Sequence, residues 1–161
     1  MTKSAPAVPP HTAHGDPRTE GDLSDLLSEL RILLPGAQML TAFLILLPFN
    51  GGARHMIAAE RMVFLATFLC ALASLILLSA PAIQHRLMRP LVNRARFKRL
   101  ATRQIVAGSA TLACALVLGT HIVIAEVFEA DIAALASGAI AVLIGVAWCL
   151  LPLYLKHRHG L

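Results

Sequence analysis

Read as a succession of apolar and polar positions, the chain falls into four long uninterrupted apolar runs. No Asp, Glu, Lys or Arg occurs in Ile32 to Phe49, Met62 to Pro81, Ile105 to Ala125 or Ile132 to Leu155. The shortest run, of 18 residues, would extend about 27 Å at 1.5 Å per residue, close to the ~30 Å of bilayer hydrocarbon. An amphipathic helix of a soluble bundle would be interrupted by charge, and a barrel strand would be half as long with strict alternation. The pattern predicts an all-α fold, an integral membrane four-helix bundle with spans at about 32–49, 62–81, 105–125 and 132–155.

The stretch before the first span has a different rhythm. Leu23, Leu26, Leu27, Leu30 and Leu34 recur at three- and four-residue steps, with Asp25, Ser28, Glu29 and Arg31 on the other side and Asp22 in place to cap the first turn. This predicts a short N-terminal interfacial helix. Pro35 lacks an N–H and disfavours helix at Leu34, so it either starts the span or kinks a continuous helix. Residues 1–22 are polar, carry Pro6, Pro9, Pro10 and Pro17, and lack an apolar core. They read as a disordered cytoplasmic tail with no signal peptide, ahead of a transmembrane domain at 23–161.

Composition agrees with the membrane reading: 57% hydrophobic residues, 14% charged, and a mean hydropathy of +0.72. The positive charges supply an orientation. Lys3, Arg18 and Arg31 precede the first span, Arg86, Arg89, Arg94, Arg96, Lys98, Arg99 and Arg103 lie between spans two and three, and Lys156 and Arg158 follow span four. Only Arg54 and Arg61 fall in the other two loops. Because positive charge near a span resists translocation, both termini are expected in the cytoplasm of a cell whose inner membrane holds the protein.

Catalytic chemistry finds little footing. The three cysteines, Cys70, Cys114 and Cys149, all lie within spans and read as small apolar packing groups. Zinc and copper spacings are absent, and the H-x-H of His157 and His159 reads as a solvated basic end, so no metal site and no cofactor are predicted. No phosphate-binding loop, H-E-x-x-H or G-x-S-x-G occurs, and no catalytic residue is assigned.

The acidic side of the first amphipathic stretch would be repelled by an anionic cytoplasmic leaflet. Docking of Glu29 against Arg86 or Arg89 would relieve that repulsion. Equally, the arginines and lysine of the connection (Arg89, Arg94, Arg96, Lys98, Arg99) would contact lipid phosphates. The expected partners are therefore membrane lipids with anionic headgroups, together with a second copy or a membrane partner. Nucleic acid is a poor fit, since the basic segment is short and membrane-bound, with Phe97 its only aromatic residue.

The segments LLSELRILLPGAQMLTAFLILLPF, APAIQHRL and WCLLPL together resemble a bacterial four-span family, domain of unknown function 6328, over Leu26 to about Leu155. Glu29, Leu30, Arg31, Gln38, His85, Arg86, Trp148, Leu151 and Pro152 match its pattern, and Pro35 departs from it. The resemblance implies a four-span membrane protein without an established activity; some members carry an automatic label of sodium:proton antiporter.

Ion-coupled antiport needs a titrating group near mid-membrane, and no span contains a carboxylate. His121 is the one titratable side chain inside a span besides the thiols. It reads as an interfacial histidine, with a proton-relay role as the alternative, and five helical residues turn it away from Glu126. Gln38 is expected to face the bundle and bond across to another helix. With Glu29, Arg31, His85 and Arg86 it forms a candidate polar cluster. Stripes of small residues at four-residue steps predict close helix packing: Ala66, Cys70 and Ser74; Ala107, Thr111, Ala115 and Gly119; Ala133, Ser137, Ala141, Gly145 and Cys149. Spans three and four are expected to form a tight hairpin. The functional reading is a non-catalytic membrane module that acts through assembly, the alternative being a small proton or cation transporter or channel formed as an oligomer.

Overall fold

The computed structural model describes residues 17–50, 57–88 and 94–159, all in helices and the turns that join them. Helix α1 is Pro17–Leu46, followed by a 3-10 turn at Leu47–Asn50. Helix α2 is Ala58–Leu87, α3 is Arg94–Ala125 and α4 is Ala130–Gly145. One π-helical turn, Val146–Leu150, joins α4 to α5, Leu151–His159. Four helical stretches are long and apolar enough to cross a membrane: Leu30–Phe49, Ala58–Leu87, Ala95–Ala125 and Ala130–Arg158. The helices pack in chain order. The most extensive contact joins α2 to α3, α1 lies on α2 with a minor contact to α3, and α4 lies on α3.

Helix α1 takes the continuous one of the two courses open at Pro35: interfacial segment and span are a single helix. The proline removes the donor that would reach the Arg31 carbonyl, and the helix tolerates that loss as membrane helices do. Helix also begins at Pro17, so residues 17–22 belong to α1 rather than to a disordered tail, and Asp22 sits inside the helix instead of capping it. Residues 1–16 lie outside the described residues. Pro81 likewise does not end the second helix, which continues to Leu87.

The α2–α3 seam shows what the small residues do. Along α2 the buried positions are Thr67, Ala71, Ser74, Leu78 and Pro81. Along α3 they are Phe97, Ala101, Gly108, Leu112, Ala115 and Gly119. A Cβ built on Gly108 would lie 2.9 Å from Leu78 Cγ and 3.2 Å from Leu77 Cβ, whereas one on Gly119 would make an ordinary 3.7 Å contact with Thr67 Cγ2. Gly108 therefore marks the tightest approach. Leu44, Ala71 and Ala115 form one buried cluster; Leu30, Ala37, Leu78 and Leu112 form another.

The expected four-residue stripes meet this seam only in part: Ser74, Ala115 and Gly119 lie in it. Four residues advance a helix by about 400°, so a strict four-step drifts about 40° each time, and a straight seam has to mix steps of three and four. Both observed seams do so, while Ala66 and Ala107 are exposed. On α4, Ala133 and Ser137 are buried and Ala141 is exposed, as is Cys149 in the π-helical turn that follows. Helices α2 and α3 share the most extensive contact, and the contact of α3 with the shorter α4 comes next.

Candidate functional site

The polar groups fall into three places: the end of the bundle that carries the basic connection, the opposite end, and the apolar middle. In the middle the hydroxyls bond to their own helices. Thr41 donates to the Ala37 carbonyl at 2.8 Å, Thr67 to Val63 at 2.7 Å, Thr111 to Gly108 at 2.9 Å, Thr120 to Leu116 at 2.8 Å and Ser137 to Ala134 at 3.1 Å. Such back-bonding commits the one donor of each hydroxyl to its own helix. Among the buried hydroxyls Ser74 is the exception, with Oγ unpartnered among the described residues.

Gln38 does not face the bundle. It is exposed on α1, while Ala37 and Thr41 occupy the buried positions. The same argument of helical phase explains it. One helix cannot present two neighbouring residues, 100° apart, to a single narrow contact, and the smaller Ala37 takes the place against Leu78.

At the basic end, the His85 ring lies 5.9 Å from that of Phe97, tilted by 49°, and Phe97 is only 3% exposed. The Oε1 atoms of Gln84 on α2 and Gln104 on α3 are buried there without a partner among the described residues. Neither glutamine stood out in the sequence, because each lies in a polar stretch where an amide carries no signal. Arg31, Arg86, Arg96 and Arg99 are exposed and Lys98 is half-buried. Arg89 lies outside the described residues, as do the side chains of Glu29 and Arg94, so the docking expected between Glu29 and Arg86 or Arg89 falls beyond them. His85 and Arg86 do share one helical end, with Gln38 several turns away on another helix.

At the opposite end, Glu60 lies in the first turn of α2, where one of its carboxylate oxygens accepts the Ile57 N–H at 3.0 Å. A negative charge in that position also favours the helix dipole. A cavity of about 180 Å³ opens beside it, lined by Glu60, Val63, His121, Ile122, Ala125 and Glu126. His121 and Glu126 both border this space, together with Glu60 from α2. Helix α3 ends at Ala125, the Glu126 N–H still bonds to Ile122 O at 3.2 Å, and the chain turns after it, with Phe128 N–H bonded to Ile124 O at 2.8 Å. Among the described residues no three of His, Cys, Asp and Glu converge to hold a metal ion. A second space of about 260 Å³ between α1 and α3 is walled by apolar side chains, among them Leu40, Phe43, Leu116 and Val123.

The arrangement defines a class: a multi-pass helical membrane protein whose polar groups gather at its two ends. The chain belongs to the family of unknown function DUF6328, whose model matches residues 14–152. No curated protein and no solved structure matches it.

Proposed function

We propose that the protein is a non-catalytic helical module of the bacterial inner membrane that acts through assembly with itself or with a membrane partner. The observation that carries this reading is the apolar middle: no Asp, Glu, Lys or Arg lies within the four apolar runs, and five hydroxyls at the packed depth of the described spans donate to their own backbones. Meanwhile the most apolar stretch of the fourth span contains no buried residue. Native mass spectrometry from lipid nanodiscs tests it, with a discrete oligomer expected and a monomer at every loading counting against it.

Orientation follows the twelve-to-two division of Lys and Arg, which favours cytoplasmic termini. Reporter fusions at Leu161 and at Gly51 should report opposite sides of the membrane; the same side for both would break the four-span topology.

A second reading, transport of protons or cations by an oligomer, draws on the cavity that unites His121 with Glu60 and Glu126. On the assembly reading, protein in liposomes shows no pH-driven sodium flux above empty vesicles. Flux lost in His121→Ala would reverse the order of the two readings.

A further inference from the structure

The fourth span ends in a helix that the rest of the bundle leaves uncovered. Helix α5 carries the last apolar residues of the span and then Lys156, His157, Arg158 and His159. Among the described residues its extensive contact is with the π-helical turn alone, and Leu151, Leu153, Tyr154 and Leu155 are all exposed. Lipid and the membrane interface therefore surround it.

One charged side chain at this end is held in a definite place. Arg158 Nη1 donates to Tyr154 Oη at 2.7 Å, with the guanidinium carbon 5.7 Å from the ring centre. Tyr154 is one turn earlier and so about 6 Å nearer the hydrocarbon. The guanidinium is folded back towards the bilayer, to the depth at which tyrosines line a membrane interface. An arginine serving the negative end of its own helix would instead turn forward to the last carbonyls.

The charge has no carboxylate to answer it along its own span. After Asp131, at the far end of that span, the chain contains no Asp or Glu, whereas Lys156 stands two residues from Arg158. The tyrosine takes one of the five N–H groups of the guanidinium, and its own O–H is left to donate onward. Four N–H groups and one O–H at interface depth fit the oxygens of a phosphodiester, which a guanidinium grips in a bidentate fork.

We propose that Arg158 and Tyr154 form a headgroup site for an anionic phospholipid. Helix α2 and the fourth span run in the same direction, so the lipid belongs to the leaflet beside the basic connection. Its phosphate oxygens take N–H groups of Arg158 and the Tyr154 O–H, and Lys156 adds the charge that favours a net-negative headgroup over a zwitterionic one. A dissolved phosphate ion is a poorer occupant, because the guanidinium is turned inward from the water and an acyl chain has the exposed Leu151 and Leu155 to lie against. The site goes beyond the assembly reading and stands without it.

A tryptophan placed beside the site reads its lipid directly. Trp148 is the chain's one tryptophan. Trp148→Phe with Leu151→Trp moves it to a position about two turns inward of Arg158 on the same face, where the leucine is already 52% exposed. This full-length reporter protein in vesicles is titrated with brominated-chain phosphatidylglycerol or phosphatidylcholine, whose bromines quench a tryptophan they touch. The anionic lipid should be preferred by about five-fold or more. In the reporter, Arg158→Gln should bring the ratio close to one, and Tyr154→Phe, which alters no charge, should at least halve it. Arg103→Gln, at an exposed position of α3, should leave it unchanged. Inorganic phosphate, set against chloride at equal ionic strength, should not lower it. Equal affinity of the reporter for the two lipids, a full ratio in Tyr154→Phe, an equal loss in Arg103→Gln, or displacement by inorganic phosphate overturns the site.

Discussion

Gly108→Val should be among the most damaging single substitutions in the membrane-spanning part, costing about 1–3 kcal/mol or more of stability. The valine Cβ would sit 2.9 Å from Leu78 Cγ and 3.2 Å from Leu77 Cβ, and its two methyl groups would press further into the same seam. Leu78 is fully buried and Leu77 Cβ is fixed to the backbone, so neither can swing aside. The helices would have to separate, losing the close packing that replaces hydrophobic drive in lipid. Gly138→Val supplies the control, because nothing lies within 4 Å of its added Cβ. It should fall within about 0.5 kcal/mol of the parent, the glycine's poor helix propensity offsetting any loss. Leu78→Ala in the Gly108→Val background should recover part of the loss by returning volume to the seam. Unfolding in bicelles measures all three, and equal stability of the Gly108 and Gly138 variants would move the close approach elsewhere.

The helices were legible because charge is excluded from long stretches for a reason that acts locally, residue by residue. Their ends were less so. Pro35 and Pro81 look like boundaries when only the missing N–H is considered, yet both lie within helices. A membrane helix persists through a proline because leaving the helix would strand several more backbone groups in hydrocarbon. Span four kept its helical course past Pro152 at the expense of one π-helical turn, a change of hydrogen-bond pattern that composition cannot announce.

Facing was the other limit. Residues spaced by four look coaxial on paper, and the true seams alternate three and four, which moved Gly108 into the contact and Ala107 out of it. Gln38 was recognised as an amide in need of a partner, but its direction depended on which neighbour fits best against α2. His121 was picked out as the titratable side chain of a span; its company, Glu60 from another helix and Glu126 from beyond a helix end, came from tertiary placement. At the basic end the charges drew attention to the arginines, whereas the buried groups there are Phe97, Gln84 and Gln104.

That contrast leads to Phe97, which stood in the sequence as a lone aromatic within a basic segment and in the structure is one of the bundle's anchors. It is 3% exposed at the foot of α3, one turn before the fully buried Ala101, and its ring meets that of His85 near the end of α2. It closes the α2–α3 pair at the end where charged side chains leave few apolar contacts. Phe97→Ala should cost about 3–5 kcal/mol, through lost contacts and the cavity left behind. Phe97→Leu, which keeps most of the volume, should cost less than half of that. His85→Ala should cost about 0.5–1.5 kcal/mol, the share of a ring–ring contact. If headgroup attraction to the basic segment held this end together instead, the three variants would unfold alike, and exchanging anionic for zwitterionic lipid would destabilise the parent more than Phe97→Ala does. The expected ranking is the reverse: a large loss with Phe97→Ala in either lipid, because the closure comes from a buried ring.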